Sequence, residues 1–145
     1  MLIHALLIED DTDFAELVTF WLTGEDGSIQ FDLHWETTLS GALIYLGGES
    51  RVDVAIVDLG LSDSQGPETV TKIAEATAEM PLIVLSAEES DSVVYSVIQS
   101  GAEDHIVKAE CDGHTLIAAS LNAIARHFES RALQHRCVQS SPPHG

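Results

Sequence analysis

Basic side chains are scarce in this chain of 145 residues. Six lysines and arginines stand against 24 aspartates and glutamates, so the formal net charge is −18 at pH 7. An acidic surface of this size repels the phosphates of nucleic acids and the head groups of anionic membranes. Three of the six cations, Arg126, Arg131 and Arg136, lie near the C-terminus, and no basic patch is visible elsewhere. We therefore expect neither a nucleic acid nor a membrane as a partner of this segment.

Cysteines and long apolar runs are also few. Cys111 and Cys137 form no C-x-x-C pair and no metal-spaced cluster with histidine. Two isolated thiols suit a reducing compartment better than a disulfide-bonded scaffold. No apolar stretch is long enough to span a bilayer, and Met1–His4 lacks the cationic start of a signal peptide. These features predict a cytoplasmic protein, and an apolar content of 45% predicts a folded core.

Strand-type and helix-type patterns alternate five times along the sequence. Apolar runs predict strands at about residues 2–8, 54–57, 82–85 and 104–107, and alternation over residues 29–35 predicts a strand near the sheet edge. Apolar residues at helical spacing follow each strand. Five such βα units imply a parallel sheet with helices on both faces. The fold class is therefore α/β, a flavodoxin-like (βα)5 three-layer sandwich with strand order 2-1-3-4-5.

Several residues mark the ends of the predicted helices. Asp13 and Glu16 resemble a capping box, Pro67 suits a first helical turn, and Asp112 is expected to cap the last helix. That helix carries an apolar stripe made of Leu116, Ile117, Ser120, Leu121, Ile124 and Phe128. The stripe fades after Phe128, so we expect a domain over residues 1–130. Residues 131–145 are expected to be a helix extension followed by a flexible tail or a truncated linker.

Asp58 is the most informative residue, because it ends an apolar run that is typical of a strand buried on both faces. Open α/β sheets bind ligands at the carboxyl ends of their strands. Glu9-Asp10-Asp11, Ser86 and Lys108 follow three other predicted strands, so these groups are expected to meet Asp58 at one edge. Such a set suits a divalent cation and a phosphoryl group. Taken alone, the acidic triplet is equally well explained by helix capping, above all at Asp11. Lys108, taken alone, is better explained as a snorkelling side chain at a strand end.

The chain resembles the receiver domain of two-component response regulators over about residues 2–130. The resemblance rests on motifs that follow the family's order, each at a strand end: Leu7-Ile8-Glu9-Asp10-Asp11, Val57-Asp58-Leu59, Asp63-Ser64-Gln65-Gly66, Val84-Leu85-Ser86-Ala87, Gly101-Ala102 and Val107-Lys108. The resemblance implies a signalling domain rather than an enzyme, one that assists its own phosphorylation and dephosphorylation. The phosphoryl donor would be a sensor histidine kinase or a phosphotransfer protein.

The resemblance also implies roles for individual residues. Asp58 matches the phosphoacceptor. Glu9 and Asp10 match the acidic pair that holds Mg²⁺ (or Mn²⁺), together with Asp58 itself and the carbonyl of Gly60.

A second group of residues matches the phosphoryl-binding part of the family. Ser86, followed by Ala87, matches the hydroxyl that binds a phosphoryl oxygen, and Lys108 matches the cation that pairs with it. Gly60 and Glu88 match two variable positions that tune the lifetime of the acyl phosphate in receivers.

Two positions depart from the family pattern. Ala109 replaces the usual proline after the lysine, and a cis bond before a non-proline residue costs about 2.5–4 kcal/mol, so we predict a trans peptide. His105 stands where the family commonly has a rotating tyrosine or phenylalanine switch. Imidazole titrates near neutrality, so a working His105 switch predicts a pH-dependent response. A half-exposed histidine at a strand end, with no switching role, is the alternative.

Other functions fit this sequence less well. A Mg²⁺-dependent aspartyl-phosphate phosphatase would normally carry an acid–base carboxylate two residues after the nucleophile, where this chain has Gly60. A flavodoxin-type redox protein needs a phosphate-cradling loop after the first strand, and Glu9-Asp10-Asp11 would repel phosphate. A pseudo-receiver that binds partners without phosphorylation stays open. A C-terminal output domain in a longer chain is possible, as is a homodimer through the face made by the fourth helix, the fifth strand and the last helix.

Overall fold

A computed structural model describes residues 1–24, 28–77, 80–87 and 90–140, of which residues 131–140 are described by their backbone. The strands are β1 (Leu2–Ile8), β2 (Gln30–Glu36), β3 (Val54–Asp58), β4 (Leu82–Ser86) and β5 (Asp104–Val107). The α-helices are α1 (Thr12–Thr23), α2 (Leu39–Leu46), α3 (Pro67–Ala76), α4 (Asp91–Gln99) and α5 (Gly113–Ser140). The strands are parallel in the order β2-β1-β3-β4-β5, which confirms the predicted fold class.

The sheet is covered on both faces by apolar side chains. Every residue of β3 and β4 is buried, as their continuous apolar runs predicted. On one face the core contains residues of α1 and α5, including Val18, Leu22 and Leu116. On the other it contains residues of α2, α3 and α4, such as Ala42, Val70 and Val97. Because the strands are parallel, the carboxyl ends of β1, β3, β4 and β5 lie at one edge of the sheet.

The predicted capping box at the start of α1 is wrong. The N-cap is Asp11, whose Oδ1 accepts hydrogen bonds from the backbone N–H groups of Asp13 (3.0 Å) and Phe14 (3.4 Å). The helix begins at Thr12, so Asp13 already lies inside the first turn, where its charge complements the helix dipole. At α5 the expected cap is confirmed, because the Thr115 N–H donates to Asp112 Oδ1 at 2.7 Å.

The helix α5 runs past the body of the domain. Its 28 residues correspond to about 42 Å of helix. Ala123 is its last buried residue among the described side chains, and Phe128 is 75% exposed. Phe128, the last residue of the predicted apolar stripe, therefore lies outside the core. The boundary at residue 130 remains a prediction, and residues 141–145 lie outside the described residues.

Within the described part of the chain, no helix has both the length and the apolar composition needed to cross a membrane.

Candidate functional site

Three charged side chains meet at the carboxyl edge of the sheet. Asp58 ends β3 and Glu9 directly follows β1, and these strands are neighbours that pair Ile8 with Val57. Lys108 follows β5 and reaches across the end of β4. Its Nζ lies 2.6 Å from Glu9 Oε1 and 3.4 Å from Asp58 Oδ1. Glu9 is 0% exposed and Asp58 5% exposed, so this is a buried cluster of two carboxyl groups and one ammonium.

Glu9, Asp10 and Asp58 form an oxygen-rich group that suits a metal ion. One carboxylate oxygen from each lies within 4.8 Å of the others, and Asp10 is exposed while the other two are buried. The Glu9 Oε1 atom is buried and, among the described residues, has no hydrogen-bond partner beyond its ion pair with Lys108. Mg²⁺ prefers hard oxygen ligands and usually keeps several waters, so a few carboxylates at an edge open to solvent fit it. The residues present therefore fit the expected cation.

The two buried carboxyl groups differ in pKa because their surroundings differ. Burial, and then hydrogen bonding with Asp58, raises the pKa of Glu9 to about 7. Burial also acts to raise the pKa of Asp58, but hydrogen bonds with Glu9 and the Gly60 N–H, together with the charge of Lys108, lower it below its usual value. Burial opposes the charge of Lys108, but both carboxyl groups outweigh it and raise the pKa of the ammonium. Asp58 is therefore the more acidic of the two buried carboxyl groups.

A cavity of about 260 Å³ opens beside Asp58. Its wall is formed by the β3–α3 loop and the end of β4 with the start of α4, and includes Gly60, Gln65, Ser86, Ala87 and Val93. The Gly60 N–H donates to Asp58 Oδ1 at 3.1 Å, which fixes the carboxylate against the loop. Ser86 and Ala87, two of the expected phosphoryl-binding residues, therefore share one cavity with the expected phosphoacceptor.

Ser86 and His105 are in direct contact. The Ser86 Oγ lies 2.7 Å from His105 Nε2. His105 also lines a cavity of about 480 Å³ between α4, β5 and α5, together with the acidic side chains of Asp91, Asp104 and Glu110. The residue that matches the family's phosphoryl-binding hydroxyl is thus joined to the residue at the family's switch position.

The peptide after Lys108 has the trans geometry that the sequence predicted. The described residues contain no cis peptide bond, so the Lys108–Ala109 peptide is trans. A single 3₁₀ turn follows over Lys108–Glu110. Lys108 still reaches Glu9 and Asp58 from this turn. Of the two positions expected to tune the lifetime of the acyl phosphate, Gly60 is described and Glu88 lies outside the described residues.

Two aromatic residues support the charged cluster and were not foreseen as site residues. Lys108 Nζ lies 4.7 Å from the centroid of the Phe14 ring, a cation–π geometry. Trp35 Nε1 donates a 2.7 Å hydrogen bond to the carbonyl of Glu9. Phe14 lies on the helical apolar stripe and Trp35 on the alternating edge strand, so periodicity assigned both to packing. No local sequence signal distinguishes them from ordinary core residues.

The β3–α3 loop is also tied to a neighbouring helix. Asp63 Oδ1 and Oδ2 accept hydrogen bonds from the backbone N–H groups of Leu39 and Ser40, each at 2.9 Å. These bonds lower the pKa of Asp63, the one from Ser40 first. Asp63 therefore caps α2 from a distant part of the sequence and anchors the loop that carries Gly60.

Comparisons with known proteins agree with this geometry. The family model of the response regulator receiver domain matches residues 5–120. The chain is 26% identical over 107 residues to the transcriptional regulatory protein MalR of Bacillus subtilis, an alignment covering 74% of this chain and 44% of MalR. It is 36% identical over 64 residues to the virulence transcriptional regulatory protein PhoP of Salmonella typhimurium, covering 44% of this chain and 29% of PhoP. The chain thus spans less than half the length of these relatives.

Solved structures show the same fold. A signal receiver domain of an HD domain-containing protein from Pseudomonas fluorescens Pf-5 has a TM-score of 0.77 at 18% identity, covering 89% of this chain and 99% of its own. A response regulator protein from Burkholderia pseudomallei, solved with a phosphorylated aspartic acid, a calcium ion and citrate, has a TM-score of 0.71 at 19% identity, covering 91% and 74%. The family model matches most of this chain, and the fold is the same. The chain therefore belongs to the response regulator receiver domains of two-component systems.

Proposed function

We propose that this receiver domain accepts a phosphoryl group on Asp58 from the phosphohistidine of a sensor kinase or a phosphotransfer protein. The observation that carries the proposal is the buried Asp58 carboxylate, which lies 3.4 Å from Lys108 Nζ and has a pKa below its usual value. Because its pKa lies below that of Glu9, Asp58 is the more fully ionised carboxyl group of the pair, and the ionised form is the nucleophile.

The transfer is an in-line displacement at phosphorus. An Asp58 Oδ atom attacks, the P–N bond of the phosphohistidine breaks, and the electron pair leaves with the imidazole. Negative charge develops over the phosphoryl oxygens during this step. The Lys108 ammonium stands within reach of the acceptor carboxylate, and the Ser86 hydroxyl lines the same cavity. Both groups can stabilise the phosphoryl oxygens, so the domain assists its own phosphorylation.

A divalent cation is part of the proposal. Glu9, Asp10, Asp58 and the Gly60 carbonyl would hold Mg²⁺, and Mn²⁺ would use the same oxygens. When bound, the cation supplies positive charge that offsets the charge of the phosphoryl group. The B. pseudomallei response regulator carries a phosphorylated aspartic acid and a calcium ion. That precedent in the same fold supports a cation at this acidic edge.

The downstream partner is proposed from the relatives. MalR and PhoP are transcriptional regulatory proteins, and this chain spans less than half of each. We propose that the domain works with an output module that acts on transcription, in a longer chain or as a separate partner. The net charge of −18 supports assigning any contact with nucleic acid to that module rather than to this domain. The role of the α4–β5–α5 face as a signalling surface remains a prediction. Formation of a homodimer through this face also remains a prediction.

The experiment is incorporation of phosphate from radiolabelled acetyl phosphate in the presence of Mg²⁺. We expect the wild-type domain to take up label, Asp58→Asn to take up none, and Asp91→Asn, an exposed aspartate on α4, to match the wild type. Removal of Mg²⁺ with EDTA should abolish uptake. Label at the wild-type level in Asp58→Asn would contradict the assignment, and no label in the wild-type domain would favour the pseudo-receiver.

A further inference from the structure

We infer that Gln65 orients the water that hydrolyses the acyl phosphate on Asp58. This inference rests on the proposed function, since it concerns the loss of the phosphoryl group that the proposed transfer adds to Asp58. It gives the domain a built-in device that sets how long its signal lasts.

The backbone places Gln65 opposite Gly60. These two residues form an isolated antiparallel bridge across the β3–α3 loop. The Gly66 N–H donates to the Leu59 carbonyl at 3.0 Å, which closes the loop one residue further on. Gly66 has φ of 71°, a left-handed conformation that favours glycine, and Pro67 then begins α3. The backbone of Gln65 is therefore fixed on both sides beside the phosphorylation site.

Few of the described residues that line the cavity beside Asp58 carry groups that could orient a water. Among the described residues that line it, three carry polar side chains: Asp58, Gln65 and Ser86. Asp58 is the proposed acceptor, and Ser86 is hydrogen-bonded to His105. Gly60, the residue opposite Gln65, has no side chain. Pro67, Ala87 and Val93 offer apolar groups that cannot orient a water.

The Gln65 side chain has the properties that this role requires. It is exposed, and no hydrogen bond ties its amide to another described residue. The cavity of about 260 Å³ has room for several waters, each of which takes about 30 Å³. An amide both donates and accepts, so it can hold a water with its oxygen and a phosphoryl oxygen with its NH₂ group. Being neutral, it does not repel the phosphoryl group as a carboxylate would.

The hydrolytic step is balanced by water alone. The oxygen of the water attacks phosphorus, and the bond between phosphorus and the Asp58 oxygen breaks. The electron pair of that bond remains on Asp58, which returns to a carboxylate. The proton of the water passes to the phosphate, which leaves as inorganic phosphate. Gln65 accepts no proton in this step, and its contribution is to align the water with the P–O bond.

The test compares phosphate uptake with phosphate loss. Gln65→Leu keeps the bulk of the side chain without the amide, and Gln30→Leu is the matched control, since Gln30 is exposed on the distant edge strand β2. After removal of acetyl phosphate, we expect the acyl phosphate of Gln65→Leu to decay about tenfold more slowly than that of the wild type, which corresponds to about 1.4 kcal/mol. The rate of uptake and the affinity for Mg²⁺ should be unchanged.

The other outcomes would overturn either the role of Gln65 or the proposed function. Equal decay in Gln65→Leu and the wild type would overturn the inference. Parallel losses of uptake, Mg²⁺ affinity and decay would also overturn it, because a distorted loop would affect all three. A wild-type domain that takes up no phosphate at all would instead overturn the proposed function.

Discussion

His105 Nε2 lies 2.7 Å from Ser86 Oγ, and this hydrogen bond joins two neighbouring strands at the edge that carries the candidate site. Ser86 lines the cavity beside Asp58, whereas His105 lines the larger cavity between α4, β5 and α5. The pair therefore connects the proposed phosphorylation site to an outer surface of the domain. For the Ser86 hydroxyl to turn towards a phosphoryl group, its bond to His105 must be given up.

Replacing His105 is expected to favour the phosphorylated state. The His105→Phe variant keeps an aromatic ring and removes the nitrogen that holds Ser86. A hydrogen bond of this kind contributes about 0.5–1.5 kcal/mol, so we expect beryllofluoride with Mg²⁺ to bind roughly two- to tenfold more tightly. Tryptophan fluorescence can follow the titration, because Trp35 donates to the Glu9 carbonyl and Trp21 packs edge-to-face on Phe14 beneath Lys108.

A double-mutant cycle controls for other effects of the ring. In a Ser86→Ala background there is no hydroxyl to release, so His105→Phe should leave the affinity for beryllofluoride unchanged. His114→Phe, at an exposed histidine in the first turn of α5, should match the wild type. Weaker binding by His105→Phe would show that the ring nitrogen supports the bound state instead.

Removing the charge of Lys108 should separate metal binding from phosphoryl transfer. Its Nζ lies 2.6 Å from Glu9 Oε1, so it repels any cation that enters the acidic cluster. Lys108→Met is expected to bind Mg²⁺ more tightly, by about tenfold for one nearby charge. It should also take up phosphate from acetyl phosphate at least about a hundredfold more slowly, since the phosphoryl oxygens lose their cation.

The other lysine of the chain offers a matched control for Lys108. Lys72 lies on α3, where its Nζ is 3.4 Å from Glu68 on an exposed surface. Lys72→Met should leave both Mg²⁺ affinity and phosphate uptake unchanged. A Lys108→Met domain that binds Mg²⁺ more weakly than the wild type would contradict the view that the ammonium competes with the cation.

The sequence predicted the fold well because hydrophobic periodicity records which faces of each element are buried. Continuous apolar runs identified β3 and β4, and alternation identified β2 as an edge strand. Periodicity carries no information about how far a helix outruns the sheet or which residue caps it. Phe128 continues the spacing of α5 but projects beyond the sheet, and Asp11 caps α1 although Asp13 fits a capping pattern equally well.

The candidate site could be predicted only in part. Parallel strands bring their carboxyl ends to one edge, so Glu9, Asp58 and Lys108 were expected to meet, and they do. The contacts that adjust the cluster come from residues that look ordinary in the sequence. The ring of Phe14 beneath Lys108 depends on the packing of α1 against the sheet, and the bridge from Gln65 to Gly60 depends on how the loop folds back.

The bidentate cap made by Asp63 should stabilise the domain in a pH-dependent way. Asp63 accepts the N–H groups of Leu39 and Ser40, and we expect Asp63→Ala to lower the free energy of unfolding at pH 7 by about 1 kcal/mol. Because these bonds lower the pKa of Asp63 below 3.8, the stabilisation is complete above that pH and is lost as the pH falls through the folded-state value. Urea unfolding at pH 7 and at about pH 3 should therefore show that the free energies of unfolding of the wild type and of Asp63→Ala converge in acid.

Ser62→Ala, which changes an exposed neighbour in the same loop, is the control and should match the wild type at both pH values. If Asp63→Ala differed from the wild type by the same amount in acid, the charge of the carboxylate would not be the source of the stabilisation.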